Sequence, residues 1–145
     1  MSENYYQIIV LGKIDERITS IKESFFSRLK DFNINLDFIR FIHSADYASR
    51  DAKYPTIVIY FGGDKSNTLH LSNLIDESVV IIPVVKSNEL VPNELPDEIM
   101  NINALPINEK NNNTERLFSI IFENFRFLRK ERKVFISYRR IDAQG

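Results

Sequence analysis

Near its start the chain carries the run Tyr6-Gln7-Ile8-Ile9-Val10-Leu11, which is almost entirely apolar and which Gly12 ends. A short continuous apolar run of this kind is typical of a strand buried on both faces of a parallel sheet. Between residues 14 and 32 the pattern changes, because apolar residues recur every three or four positions with charged residues between them. This spacing predicts an amphipathic helix that covers one face of the sheet.

The same alternation of strand and helix patterns continues along the rest of the chain. Asp37 and Arg40 in the second predicted strand favour a position at the sheet edge, and Pro83 in the fourth marks an edge or the end of the strand. The alternation predicts an α/β fold with an open, doubly wound, parallel five-stranded sheet of the flavodoxin-like type. Further strands are predicted at 36–42, 56–61, 79–85 and 102–107, and helices at 69–75 and 114–128.

The composition excludes several classes of function. The 145 residues are 43% hydrophobic and 27% charged, which suits one ordinary core. The net charge of -1 provides no broad basic field, so we expect no nucleic-acid partner. Since there is no cysteine, a disulfide framework or thiolate metal site is excluded, and a reducing, cytoplasmic location fits. The apolar runs are much shorter than the roughly 20 residues that span a bilayer, so we expect no membrane partner.

The most specific motif lies near the end of the sequence. It reads Phe135-Ile136-Ser137-Tyr138-Arg139-Arg140, with Asp142 following. It resembles the opening strand and loop of Toll/interleukin receptor (TIR) domains. The resemblance implies two units, a domain at 1–133 and the truncated start of a TIR domain at 134–145. We expect the strand of the second unit to be disordered, or to borrow the sheet edge or final helix of the first.

A second resemblance lies within residues 56–122. The strand ending Ile82-Pro83-Val84, the later Leu95-Pro96 pair and the helix opening Glu115-Arg116-Leu117 follow the order and spacing of the C-terminal half of bacterial TIR domains. Residues 1–133 therefore resemble a divergent, TIR-like module of flavodoxin-like fold.

The TIR resemblance also implies that this module has no catalytic residue. TIR enzymes that hydrolyse NAD use a glutamate on the helix before the Ile-Pro-Val strand, and the matching position here is His70 or its neighbours Leu69 and Leu71. A histidine is neutral or positive near pH 7 and cannot supply the same fixed negative charge. In addition, Gly12-Lys13-Ile14-Asp15 stands where a Ser-Tyr-Arg-Arg loop is expected.

The residues that follow the predicted strands form a candidate ligand site. Open α/β sheets bind ligands beyond the carboxyl ends of their strands. We therefore predict a ligand site at Gly12, Lys13, His43, Gly62 and Gly63.

The histidines and the phenylalanines are the remaining candidates for a metal site and for a partner surface. Neither of the two histidines has a His, Asp or Glu partner at metal-ligand spacing, so no metal site is predicted. The final helix carries more phenylalanines than one face buries in a small domain. Core packing is the default for them, and we also predict an interaction surface at Phe122, Phe125 and Phe127.

Taken together, these patterns predict a non-catalytic regulatory, sensing or self-association domain of a bacterial TIR-containing signalling or defence protein. The expected partners are the downstream TIR domain of the same protein, a second copy of the chain and other TIR proteins, and the parent protein is expected to consume NAD. No cofactor is predicted. The alternative is an NAD(P)-hydrolysing TIR-type enzyme or a nucleotide-binding domain that uses NAD, with Asp76 or Glu77 as its carboxylate.

Overall fold

A parallel β-sheet forms the centre of the computed structural model, which describes residues 6–108 and 113–125. Across these residues the sheet has five strands in the order β2-β1-β3-β4-β5, and all neighbours are parallel. This is the flavodoxin-like order, so the predicted α/β fold with a doubly wound parallel sheet is confirmed. The strands are β1 (Tyr6–Gly12), β2 (Ile39–His43), β3 (Thr56–Phe61), β4 (Val80–Val85) and β5 (Leu105–Pro106).

Helices cover both faces of the sheet and create two hydrophobic cores. The helices are α1 (Arg17–Asp31), α2 (Thr68–Asp76), α3 (Val91–Glu94) and α4 (Thr114–Phe125), and 3₁₀ turns occur at Leu36–Phe38, Ser44–Ser49, Asn88–Leu90 and Asp97–Ile99. The first core lies between the sheet and the helices α1 and α4, and the second lies under α2 and the segment around α3. Phe25 is central to the first core, since its ring centroid lies 5.5 Å from those of both Phe118 and Phe122.

The central strand β1 explains why the two cores coexist. Ile8 and Val10 point into the first core, whereas Ile9 and Leu11 point into the second. Side chains alternate between the faces of a strand, so a continuous apolar run supplies both faces at once. The predicted burial of this run on both faces is confirmed.

Two strand boundaries differ from the sequence prediction. The predicted edge position of the second strand is confirmed, but β2 starts at Ile39 rather than at residue 36. Before it, the Asn35 side chain accepts a hydrogen bond from the Asp37 amide (2.9 Å) and caps a 3₁₀ turn. The fifth strand is only Leu105–Pro106 instead of 102–107, and its proline has no N–H to donate to the sheet.

Pro83 fits within β4 without the loss of a ladder hydrogen bond. The Gly62 amide donates to the Val84 carbonyl (2.8 Å), and the Ile107 amide donates to the Val85 carbonyl (2.9 Å). The backbone hydrogen-bonding groups of the even-numbered residues of β4 therefore point toward β3. Those of the odd-numbered residues, Pro83 included, point toward β5. β5 pairs with β4 only from Val84 onward. An N–H group at position 83 would therefore have no acceptor in β5, and the proline costs no hydrogen bond of the sheet.

Some predictions concern segments beyond the described residues. The TIR-like strand and loop at 134–145, the division between the two predicted units and Phe127 all lie outside residues 6–108 and 113–125. Within those ranges, no helix has the length and apolar character required to cross a bilayer.

Candidate functional site

The carboxyl ends of β1 and β3 meet at Gly12. The backbone here has φ +89°, and a Cβ atom would lie only 2.1 Å from the carbonyl oxygen of Phe61. The same oxygen accepts the Lys13 amide (2.9 Å), and the Asn67 side chain accepts the Gly12 amide (2.8 Å). Gly12 therefore allows the two chains to approach closely, at the point where the strand order reverses.

The glycines after β3 are also tightly packed. A Cβ atom on Gly62 would lie 2.8 Å from the Cβ of Glu94, and one on Gly63 would lie 2.8 Å from the Cδ of Lys13. The Gly63 amide donates to the Glu94 carbonyl (3.0 Å), and the carboxylate of Glu94 accepts the Lys86 amide (3.3 Å). The space beyond β3 is thus filled by α3 and by the aliphatic part of Lys13.

Lys13 borders a neighbouring cavity of about 630 Å³, which we call the α1–α4 cleft. Lys13 follows β1, Lys86 follows β4 and Asn108 follows β5, so the cleft lies beyond the carboxyl ends of three strands. Its walls also include Arg17 and Thr114, the first residues of α1 and α4. The cavity volume is within the range of roughly 300–1,000 Å³ that is usual for small-molecule sites.

An ion pair forms one wall of this cleft. The Asp15 carboxylate accepts the Arg17 amide (3.0 Å) and its Nε (2.9 Å), while Arg17 Nη1 donates to the Ile107 carbonyl (3.0 Å). Burial acts to raise the pKa of Asp15, but the hydrogen bonds from Arg17 and the charges of Arg17 and Lys86 lower it overall. The bond from the Arg17 amide to Asp15 satisfies one of the free amide groups at the start of α1.

The predicted ligand residues do not all come together. Gly12, Lys13, Gly62 and Gly63 converge where β1 and β3 end, and Lys13 alone among them borders the cleft. His43 ends the outer strand β2, where it pairs in register with Val10 of β1, and it does not line the cleft.

His43 instead pairs with a lysine from α1. The Nζ of Lys22 lies 2.9 Å from the Nε2 of His43, so Nε2 accepts and the ring is neutral. Partial burial, together with the charge of Lys22, lowers the pKa of His43. This arrangement disfavours a role for His43 as a cationic ligand for an anion.

Residues 69–71, at the start of α2, carry no carboxylate. The ring of His70 stacks on Tyr47, with centroids 3.9 Å apart and planes 16° apart. Glu77 pairs with Arg50 (2.9 and 3.1 Å), and the hydrogen bonds from Arg50 lower the pKa of Glu77. Asp76 and Glu77 end α2 just before β4 starts, about one strand length (~20 Å) from the carboxyl edge.

The phenylalanines of α4 serve the core. Phe122 is 3% exposed and Phe125 is 4% exposed, and the Phe125 ring lies 4.8 Å from that of Tyr6. Both rings are buried, which agrees with core packing, the default given for these phenylalanines, and the interaction surface at Phe122, Phe125 and Phe127 stays a prediction.

No protein-family model, curated protein or solved structure matches this chain. The evidence for a function therefore lies in the geometry of the α1–α4 cleft. Sequence reasoning selected Lys13 from it but missed Arg17, Lys86 and Thr114. The signal for Lys86 was present, because this lysine follows a predicted strand just as Lys13 does.

Proposed function

We propose that the domain is a non-catalytic sensing module that binds a small molecule in the α1–α4 cleft and transmits this event through α4 to the TIR-like segment. The observation that carries the proposal is the position of α4. Its first residue, Thr114, borders the cleft, and residues 134–145 follow this helix in the sequence.

The packing of α4 supports transmission over the height of the sheet. The helix has 12 residues, which corresponds to a length of about 18 Å. It starts after β5 at the carboxyl edge, and Phe125 at its other end packs on Tyr6, the first residue of β1. A small shift at Thr114 would therefore also move Phe125 at the opposite edge of the sheet, because a packed helix moves as a rigid element.

The loops around the cleft are cross-linked in a way that suits a binding site. The side-chain amide of Asn108 donates to the Lys86 carbonyl, and that of Asn113 donates to the Pro106 carbonyl (2.6 Å). The segments after β4 and β5 are thereby joined to the start of α4. A ligand that contacts one of them acts on all three.

The α2 face supports a non-catalytic role. TIR-type NAD hydrolysis requires a carboxylate, whereas Leu71 is fully buried, Leu69 is exposed and His70 is stacked on Tyr47. These residues do not fit the chemistry of NAD cleavage.

The proposal is tested with the whole chain. Thermal unfolding is followed with a panel of nucleotides, sugar phosphates, carboxylic acids and neutral metabolites, and nicotinamide release from NAD is followed in parallel. The matched variant is Ser20→Trp, since Ser20 is an exposed residue that lines the cleft. We expect at least one compound to raise the Tm of the wild type and to lose most of that effect in the variant. Stabilisation that is equal in both proteins, or turnover of NAD, would contradict the proposal.

A further inference from the structure

We infer that the ligand of the α1–α4 cleft is a small organic phosphate whose dianionic group is held between Lys13 and Lys86. This inference rests on the proposed function, because it names the chemical class of the compound sensed there.

The two lysines reach the cleft from neighbouring parts of the sheet edge. Lys13 follows β1 and Lys86 follows β4, with β3 between these strands. Both are exposed residues that line the cleft, and among the described residues neither forms an ion pair. The packing of the Lys13 side chain beside Gly63 restricts its aliphatic part. Two ammonium groups at the rim of one cavity favour an anion that both can contact.

The other charges of the cleft leave this excess of positive charge in place. The Asp15 carboxylate pairs with Arg17 at 2.9 Å. Its negative charge therefore does not fully offset the positive charge of Lys13 or Lys86. Among the described residues of the lining, Glu16 is the remaining carboxylate, and it is exposed to solvent. In the part of the lining that the structure describes, three cations against two carboxylates leave a net charge of about +1, which favours an anion over a neutral or cationic ligand.

Arg17 supplies a further donor. Its Nη2 is buried and has no hydrogen-bond acceptor within the described residues, although Nε and Nη1 are both bonded. A buried donor without an acceptor is unfavourable, and a phosphate oxygen beside Arg17 would provide one after a small movement of the side chain. The amides at the start of α1 are already used, since the Arg17 and Ile18 amides bond to Asp15. The lysine and arginine side chains, rather than the helix terminus, are therefore the expected phosphate ligands.

The cavity also has room and apolar surface for an organic group. Ile21 and Ile107 line it, and its volume of about 630 Å³ exceeds what a free phosphate ion fills. A phosphate ester places its charge at the lysines and its remaining atoms on these isoleucines. A phosphate ester fits this combination better than inorganic phosphate alone.

The experiment measures binding of inorganic phosphate, ribose 5-phosphate, AMP and adenosine to the whole chain by calorimetry and by ³¹P NMR at constant ionic strength. The variants are Lys13→Met and Lys86→Met. The charge-matched control is Lys53→Met, which removes an exposed lysine that does not line the cleft. Circular dichroism and urea unfolding establish that each variant is folded.

We expect a phosphate ester to bind more tightly than inorganic phosphate, and adenosine to bind weakly or not at all. Each cleft variant should weaken binding of the ester by about tenfold or more, since a charge-assisted hydrogen bond is lost, and Lys53→Met should leave it unchanged. An equal loss in all three variants would indicate diffuse surface attraction and overturn the inference. If only a non-phosphorylated compound stabilises the chain and Ser20→Trp abolishes that effect, the phosphate assignment is wrong and the proposed function survives. If no compound acts through the cleft, both fail.

Discussion

Replacement of Gly12 by alanine tests whether the close approach of β1 and β3 is essential to the fold. The new methyl group would lie 2.1 Å from the Phe61 carbonyl oxygen and 3.0 Å from the Phe61 backbone nitrogen. These are backbone atoms at the end of a central strand, and the oxygen is already bonded to the Lys13 amide. These backbone atoms of Phe61 cannot move away from the new methyl group without the loss of hydrogen bonds between the strands.

The expected loss of stability has two parts. A non-glycine residue at positive φ costs about 1–2 kcal/mol, and the insertion of a methyl group into a packed site costs about 1–3 kcal/mol more. We therefore expect Gly12→Ala to lower the free energy of unfolding by about 2–5 kcal/mol. Gly63→Ala is the matched control, because its Cβ would meet only the Lys13 side chain, which can move. Its cost should stay near the backbone contribution of about 1–2 kcal/mol.

Urea unfolding at 25 °C, followed by circular dichroism, measures both variants against the wild type. The decisive quantity is the difference between the two losses. A loss for Gly12→Ala that is no larger than the loss for Gly63→Ala would refute the reasoning, since the backbone contact would then impose no constraint.

Two further predictions concern polar groups around the sheet. Burial and the ammonium of Lys22 lower the pKa of His43, so the unfolded chain takes up this proton more readily. The contribution of His43 is fully present above its ordinary pKa of 6.5 and is lost as the pH falls through the lowered folded value. Urea midpoints at pH 7.5 and 5.5 should therefore differ less in His43→Gln than in the wild type; an equal difference would count against the pairing. Gln7 is fully buried, and its side chain bonds to both the amide and the carbonyl of Asp51 (2.8 Å each). We expect Gln7→Leu to cost about 1–3 kcal/mol in urea unfolding and Thr56→Val, which removes one of the bonds of Gln7, to cost less; the reverse order would contradict this role.

The fold was largely predictable because its strongest signals are local. The run at Tyr6–Leu11 and the later apolar run at 79–85 are continuous, which is typical of strands buried on both faces. The boundaries of β2 and β5 were harder to predict from the sequence. Asn35 forms a local turn before β2, and β5 is too short to carry a pattern of its own.

The candidate site was only partly predictable. The rule that ligands bind beyond the carboxyl ends of strands selected Lys13, and the same rule applied to β4 would have selected Lys86. The rule did not reveal that the His43 side chain pairs with Lys22 of α1 and does not line the cleft.

Periodicity and apolar runs thus determined the α/β class and the number of strands, because both depend on neighbours close in the chain. The strand order decided which loops meet, and so which of the many surface charges share a cavity. Lys13 and Lys86 are 73 positions apart in the sequence, and only the packing of β1, β3 and β4 side by side brings them to one cleft. Long-range contacts of this kind leave no periodic pattern in the chain, which is why the cleft appears only in the folded protein.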